Sequence, residues 1–65
     1  MRNLTREELQ KISLQEDLLK GNINRMCVTD DLAELDTMYH HAKERIKIIH
    51  DINYARFFFV GEVEE

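Results

Sequence analysis

Asp36, His40 and Glu44 recur at four-residue steps, which on a helix stacks an imidazole between two carboxylates, and His41 follows directly. Such spacing can set two ligands on one metal ion or pair a base with its orienting acid. A carboxylate-bridged di-metal bundle, however, needs Glu-x-x-His on paired helices. Neither Glu34 nor Glu44 has a histidine three residues on. Asp36, Lys43, Glu44, Lys47 and Asp51 read instead as a solvated helix face, and no metal and no cofactor is expected. His50 reads as a boundary residue beside an apolar stripe. Cys27 is the one cysteine, and a nucleophilic thiol needs a base held against it; among its apolar neighbours it reads as a small buried hydrophobe. No nucleophile, base and oxyanion donor come together anywhere in the sequence, so no catalytic residues are assigned and no enzyme is expected. Two charged features remain. Glu16 falls inside an apolar stripe, where it either pairs across to the region of His41, Lys43 and Arg45 or faces solvent at a splayed seam. Asp30, Asp31, Glu34 and Asp36 form an acidic cluster that is either an ordinary helix start or an electrostatic rim, and in the extreme a mimic of phosphates on DNA.

The elements that must position these groups are helical. The chain of 65 residues has no proline, two glycines and 34% charged residues, a composition suited to long helices rather than sheet. A chain of this size buries only roughly 60% of the surface its unfolded form exposes. With one cysteine and no CxxC or HxxxH spacing, neither disulfides nor zinc can staple it. Helix packing and oligomerisation are what is left.

The expected fold is all-α, an antiparallel hairpin with helices over 6–27 and 30–58 and a short acidic tail at 61–65, two copies forming a four-helix bundle. The first helix opens on Thr5-Arg6-Glu7-Glu8, a capping box, with Leu4 and Leu9 as a staple across it. Leu9, Ile12, Leu19, Ile23, Met26 and Cys27 follow on one face. Gly21 sits within that stripe, whose phase continues past it, so passage or a mild kink is favoured over a break. Val28-Thr29-Asp30-Asp31 starts the second helix, with Thr29 as N-cap and Val28 stapling onto Ala33. Its stripe is Leu32, Leu35, Met38, Tyr39, Ala42, Ile46 and Ile49. Leu14 and Leu18 on the first helix, and Ile48 and Ile52 on the second, are expected on the far sides.

A short connection makes the helices antiparallel neighbours. Placing Arg6 opposite about Asp51 on equal rise per residue leaves Ile52, Tyr54 and the run Phe57-Phe58-Phe59-Val60 overhanging. The expected interface is therefore Ile48, Ile52, Tyr54, Phe57, Phe58, Phe59 and Val60 with Leu14 and Leu18. Its occupant is a second copy, a different protein, or the chain itself folding back. Charge is segregated: residues 1–29 carry +1, 30–42 carry −4, 43–56 carry +2 and 57–65 carry −3, for a net −4. That balance argues against a sequence-independent grip on nucleic acid, which depends on Lys and Arg neutralising phosphates. No apolar run approaches the roughly 18 residues a membrane span needs, and the polar N-terminus lacks a signal-peptide core. A cytoplasmic location follows as an expectation.

The segment Gly21-Asn22-Ile23-Asn24-Arg25-Met26-Cys27-Val28-Thr29-Asp30-Asp31-Leu32-Ala33-Glu34-Leu35-Asp36-Thr37-Met38-Tyr39, with Ala42-Lys43-Glu44-Arg45-Ile46, resembles small helical-hairpin accessory proteins of bacteriophages and prophages of Gram-positive bacteria. The resemblance covers about a third of the chain and carries over no functional residue. It implies a factor that binds and switches off a host or defence protein, or a regulator of the phage programme. The function expected is a small non-enzymatic protein–protein interaction module, acting in the host cytoplasm if the chain is phage-encoded. A purely structural homo-oligomer and an acidic DNA mimic or transcriptional regulator are the alternatives.

Overall fold

A computed structural model describes residues 2–58, and the expected hairpin is there: α1 spans Arg6–Val28 and α2 spans Leu32–Arg56. Phe59, Val60 and the 61–65 tail lie outside the described residues.

The capping box at the start of α1 forms as its residue types require. The Glu8 N–H donates to Thr5 Oγ1 at 3.1 Å and the Thr5 N–H donates to Glu8 Oε1 at 3.0 Å. Arg2 adds a second grip, its two terminal nitrogens donating to the two Glu8 oxygens at 2.7 and 2.6 Å. One carboxylate thus satisfies a helix-end amide and tethers the segment before the helix, an arrangement strengthened by charge on both partners. The hydrogen bonds from Arg2, then those from Thr5, hold the Glu8 carboxyl down to about 2 from its ordinary 4.5. Leu4 is half-buried while Leu9 stays exposed.

Helix α1 runs unbroken through Gly21, where nothing beyond the adjoining helix backbone lies within 4 Å of the place a Cβ would occupy. The connection is residues 29–31, and it differs from the expected start of α2. Asp31, not Thr29, is the N-cap: its carboxylate accepts from the Ala33 N–H at 3.0 Å. The Thr29 hydroxyl instead accepts from the Asp31 N–H at 3.1 Å and donates to Glu34. Thr29 is the C-cap of α1, its N–H donating to the Arg25 carbonyl at 3.0 Å, two residues before the cap of the next helix. At its far end α2 stops at Arg56 rather than 58. There the Phe57 and Phe58 N–H groups donate to the carbonyls of Tyr54 and Ala55, three residues back, the tightening common in a last helical turn.

The later start of α2 shifts the register. Asn22 reaches Met38, its Nδ2 donating to the thioether sulfur at 3.4 Å, and the Arg2 N–H donates to the Arg56 carbonyl at 3.3 Å. Ile52 is therefore level with α1 and half-buried, not part of an overhang. The segment before α1 runs back beside the end of α2.

Two consequences can be measured. Gly21→Ala meets open space on an exposed helical site and should stabilise the hairpin by about 1 kcal/mol, raising Tm by roughly 4–8 °C in thermal melts followed by circular dichroism. Because the Glu8 carboxyl is depressed in the folded chain, its contribution is whole above about pH 4.5 and is lost as pH falls towards about 2. Glu8→Gln should accordingly lose less Tm than wild type when melts at pH 5 and pH 2 are compared, and an equal loss would refute that role.

Candidate interaction surface

The side chains between the helices repeat with one spacing on both. Glu8, Ile12, Gln15, Leu19, Asn22 and Met26 on α1, and Met38, Ala42, Arg45, Ile49, Ile52 and Arg56 on α2, are sheltered to intermediate or greater degree. Each set steps by four, three, four, three and four, the seam of an antiparallel helix pair. The seam is polar at regular intervals. Glu8, Gln15 and Asn22 are seven residues apart, and Arg45 and Arg56 answer from α2. Gln15 Oε1, Asn22 Oδ1 and the Nε atoms of Arg45 and Arg56 are enclosed without a hydrogen-bond partner among the described residues. Only Ala42, at 6% exposure, is buried there.

The apolar stripes are displaced from this seam. On α1 the row Leu9, Ile12, Glu16, Leu19, Ile23, Met26 steps three, four, three, four, three. On α2 the row Leu32, Leu35, Tyr39, Ala42, Ile46, Ile49 does the same. Ile12, Leu19, Met26, Ala42 and Ile49 belong to seam and stripe together. The other members stay outside: Tyr39 is 51% exposed and Ile46 54%, with Leu9, Ile23, Leu32 and Leu35 also exposed. At 100° per residue each stripe is centred roughly 50–75° from the direction of its partner helix, in the same rotational sense. For antiparallel helices equal senses point to one side of the hairpin. The two stripes therefore form a single apolar face.

Several sequence expectations change here. Of the two readings of Glu16 the solvent-facing one holds, with no ion pair to it among the described residues; Gln15, one residue earlier, occupies the seam, opposite Arg45. Cys27 is exposed rather than buried, because it falls on the outer side of the stripe. Ile48 and Ile52 are half-buried at the opposite edge of the seam, not on the far side of α2. Leu14 and Leu18 do lie away from the seam, exposed on the face opposite the apolar one.

The end of α2 carries an aromatic ladder that sequence reading passed over. His50 stacks on Tyr54 with centroids 5.3 Å apart, and Tyr54 meets Phe58 edge-on at 4.9 Å. The four-residue spacing was the available signal. Phe58 is 66% exposed, as Tyr54 and Phe57 largely are, and Arg56 lies over the Phe57 ring at 5.7 Å. His50 also meets Asp51, 3.0 Å from Nδ1 to Oδ1.

The acidic cluster divides. Asp31 spends an oxygen on its cap. Glu34 accepts from Thr29 and Arg25, whose bonds lower its pKa. Asp30 and Asp36 remain exposed. No group of three or more His, Cys, Asp or Glu side chains among the described residues could hold a metal ion, and none of their helices is long and apolar enough to cross a membrane.

No protein-family model, curated protein or solved structure matches the chain.

Replacing a polar seam residue tests the seam directly. Asn22→Leu removes an enclosed unpaired oxygen and adds apolar area against Met38, and should stabilise the hairpin by about 1 kcal/mol, read as a higher midpoint in urea unfolding.

Proposed function

We propose that the chain is a small non-enzymatic protein–protein interaction module, a hairpin that associates with a second copy and offers the aromatic end of α2 to a protein target. The observation that carries this reading is the distribution of apolar side chains. Twelve large hydrophobic residues are exposed among the described residues, while the buried core is Ala42 alone. At about 25 cal/mol per Å² of apolar surface removed from water, those side chains represent the main stabilisation the sequence can supply. The hairpin by itself leaves much of it unused. Contiguous apolar surface of this kind marks interaction sites rather than chemistry.

The aromatic end supports a role separate from self-association. Tyr54 and Phe58 lie around α2 from the Leu35–Tyr39–Ile46 face, so both can be occupied at once. Large aromatic residues next to an Arg are the composition favoured at the centre of protein interfaces. The resemblance of residues 21–39 and 42–46 to phage-carried hairpins supports a narrower version, an accessory factor that switches off a host or defence protein. The DNA-mimic alternative has less support, because Asp31 and Glu34 have their carboxylates engaged within the turn.

Affinity capture from a lysate of the encoding organism or its host, with wild type and with Tyr54→Ser/Phe58→Ser, tests this reading. A specific protein should be retained by wild type and lost with the double variant, while the light-scattering mass of the bait is unchanged. A chain that is monomeric and captures nothing overturns the proposal.

A further inference from the structure

The offset between seam and stripe identifies what covers the apolar face. In a square four-helix bundle the central axis lies about 45° from the line joining any helix to its neighbour, and each helix turns its apolar stripe to that axis. Both stripes here are turned from the seam by roughly that amount or somewhat more, and to the same side. They converge on a line outside the hairpin, where two more helices are needed. The surface available is adequate: α1 is roughly 35 Å long at 1.5 Å per residue, and the hairpin is 17 Å across in the relevant direction. The flat projection is then roughly 600 Å², and the accessible area over its side chains approaches the roughly 800 Å² each partner contributes to a stable interface.

Resting on the interaction-module reading above, we propose that this face takes a second copy of the hairpin, with the two-fold axis parallel to the helices so that α1 packs on the partner's α2. Charge selects this arrangement over the other two-fold. Glu16 sits in the middle of the face at the middle of α1, and no ion pair among the described residues involves it. A two-fold perpendicular to the helices lays α1 on its own copy, bringing two Glu16 carboxylates within about a turn of each other. With the axis parallel, levels are preserved. Asn22 is level with Met38, so Glu16 is level with about residue 44 and Lys20 with about residue 40. Glu16 then meets the partner's Lys43, and Lys20 comes within a turn of the partner's Asp36. Lys43 already lies over the Tyr39 ring, 5.2 Å from Nζ to the centroid, on the margin of the face. The one acidic residue interrupting the stripe thus acquires a cation at the place where it would otherwise be enclosed alone.

The test is the dimer dissociation constant by sedimentation equilibrium for wild type, Glu16→Lys, Lys43→Glu and the combined reversal, with helix content followed by circular dichroism. Both positions of substitution, Glu16 and Lys43, are exposed in the hairpin, so each variant can be compared folded. Either single reversal, which sets like charges together twice per dimer, should weaken association about tenfold, and the combined reversal should recover most of that loss. As a second reading, Cys27→Ser with Glu16→Cys should give no covalent dimer on oxidation, whereas adding Lys43→Cys should give one. A dimer indifferent to the reversals, or one crosslinked through Glu16→Cys alone, overturns the inference and leaves the interaction module standing. A monomer at all concentrations also overturns it, and the module reading then rests on the capture experiment alone.

Discussion

Two helices that meet along one line can cover only the side chains facing that line, and each helix of this chain carries an apolar stripe wider than its partner can cover and centred to one side. The rest of the structure is organised by that mismatch. The helices meet where Ile12, Leu19 and Met26 face Ala42 and Ile49, which leaves Leu9, Ile23, Leu35, Tyr39 and Ile46 outside on one margin. On the other margin it draws Gln15, Asn22 and Arg45 into shelter. A seam with polar groups every seven residues is weak as a core. It is strong as a guide to alignment, because sliding either helix would set an amide or guanidinium against an apolar neighbour.

Local chemistry compensates at both ends of the hairpin. Glu8 ties the cap of α1 to Arg2, and Glu34 ties the turn to Thr29 and Arg25. These charged hydrogen bonds fix where each helix begins, and hence the register along the seam. Their strength comes from geometry and shared partners rather than burial, since the surrounding surface is open to water. Glu34 and one oxygen of Asp31 are accordingly structural first, while Asp30, Asp36 and the second Asp31 oxygen face solvent.

The aromatic end of α2 follows from the same register. The three-residue connection brings the segment before α1 back beside Arg56, so Ile52 is covered while His50, Tyr54 and Phe58 are left to stack on one another up the outer side of the helix. Neighbouring rings limit each other's rotamers, so part of their side-chain entropy is already given up in the hairpin. The hairpin therefore has two apolar surfaces pointing different ways, a broad face across both helices and a compact aromatic cluster at one end.

From the sequence alone, the two helices, the capping box at Thr5, the continuity through Gly21 and the antiparallel pairing were all legible, because each depends on residues within a few positions of one another. The excess of apolar surface was legible too, from the stripes themselves. Which side of each stripe would be covered was not. Helical periodicity gives the stripe's centre, but the direction of the partner depends on a long-range choice between neighbouring columns, and a rotation of one residue exchanged Glu16 for Gln15 and turned Cys27 outwards. Likewise Thr29 and Asp31 are both residue types that cap helices. Only the closed turn decided between them: the Thr29 hydroxyl is held between the Asp31 N–H and Glu34 while Asp31 takes the Ala33 N–H, and the later start of α2 puts Ile52 level with α1.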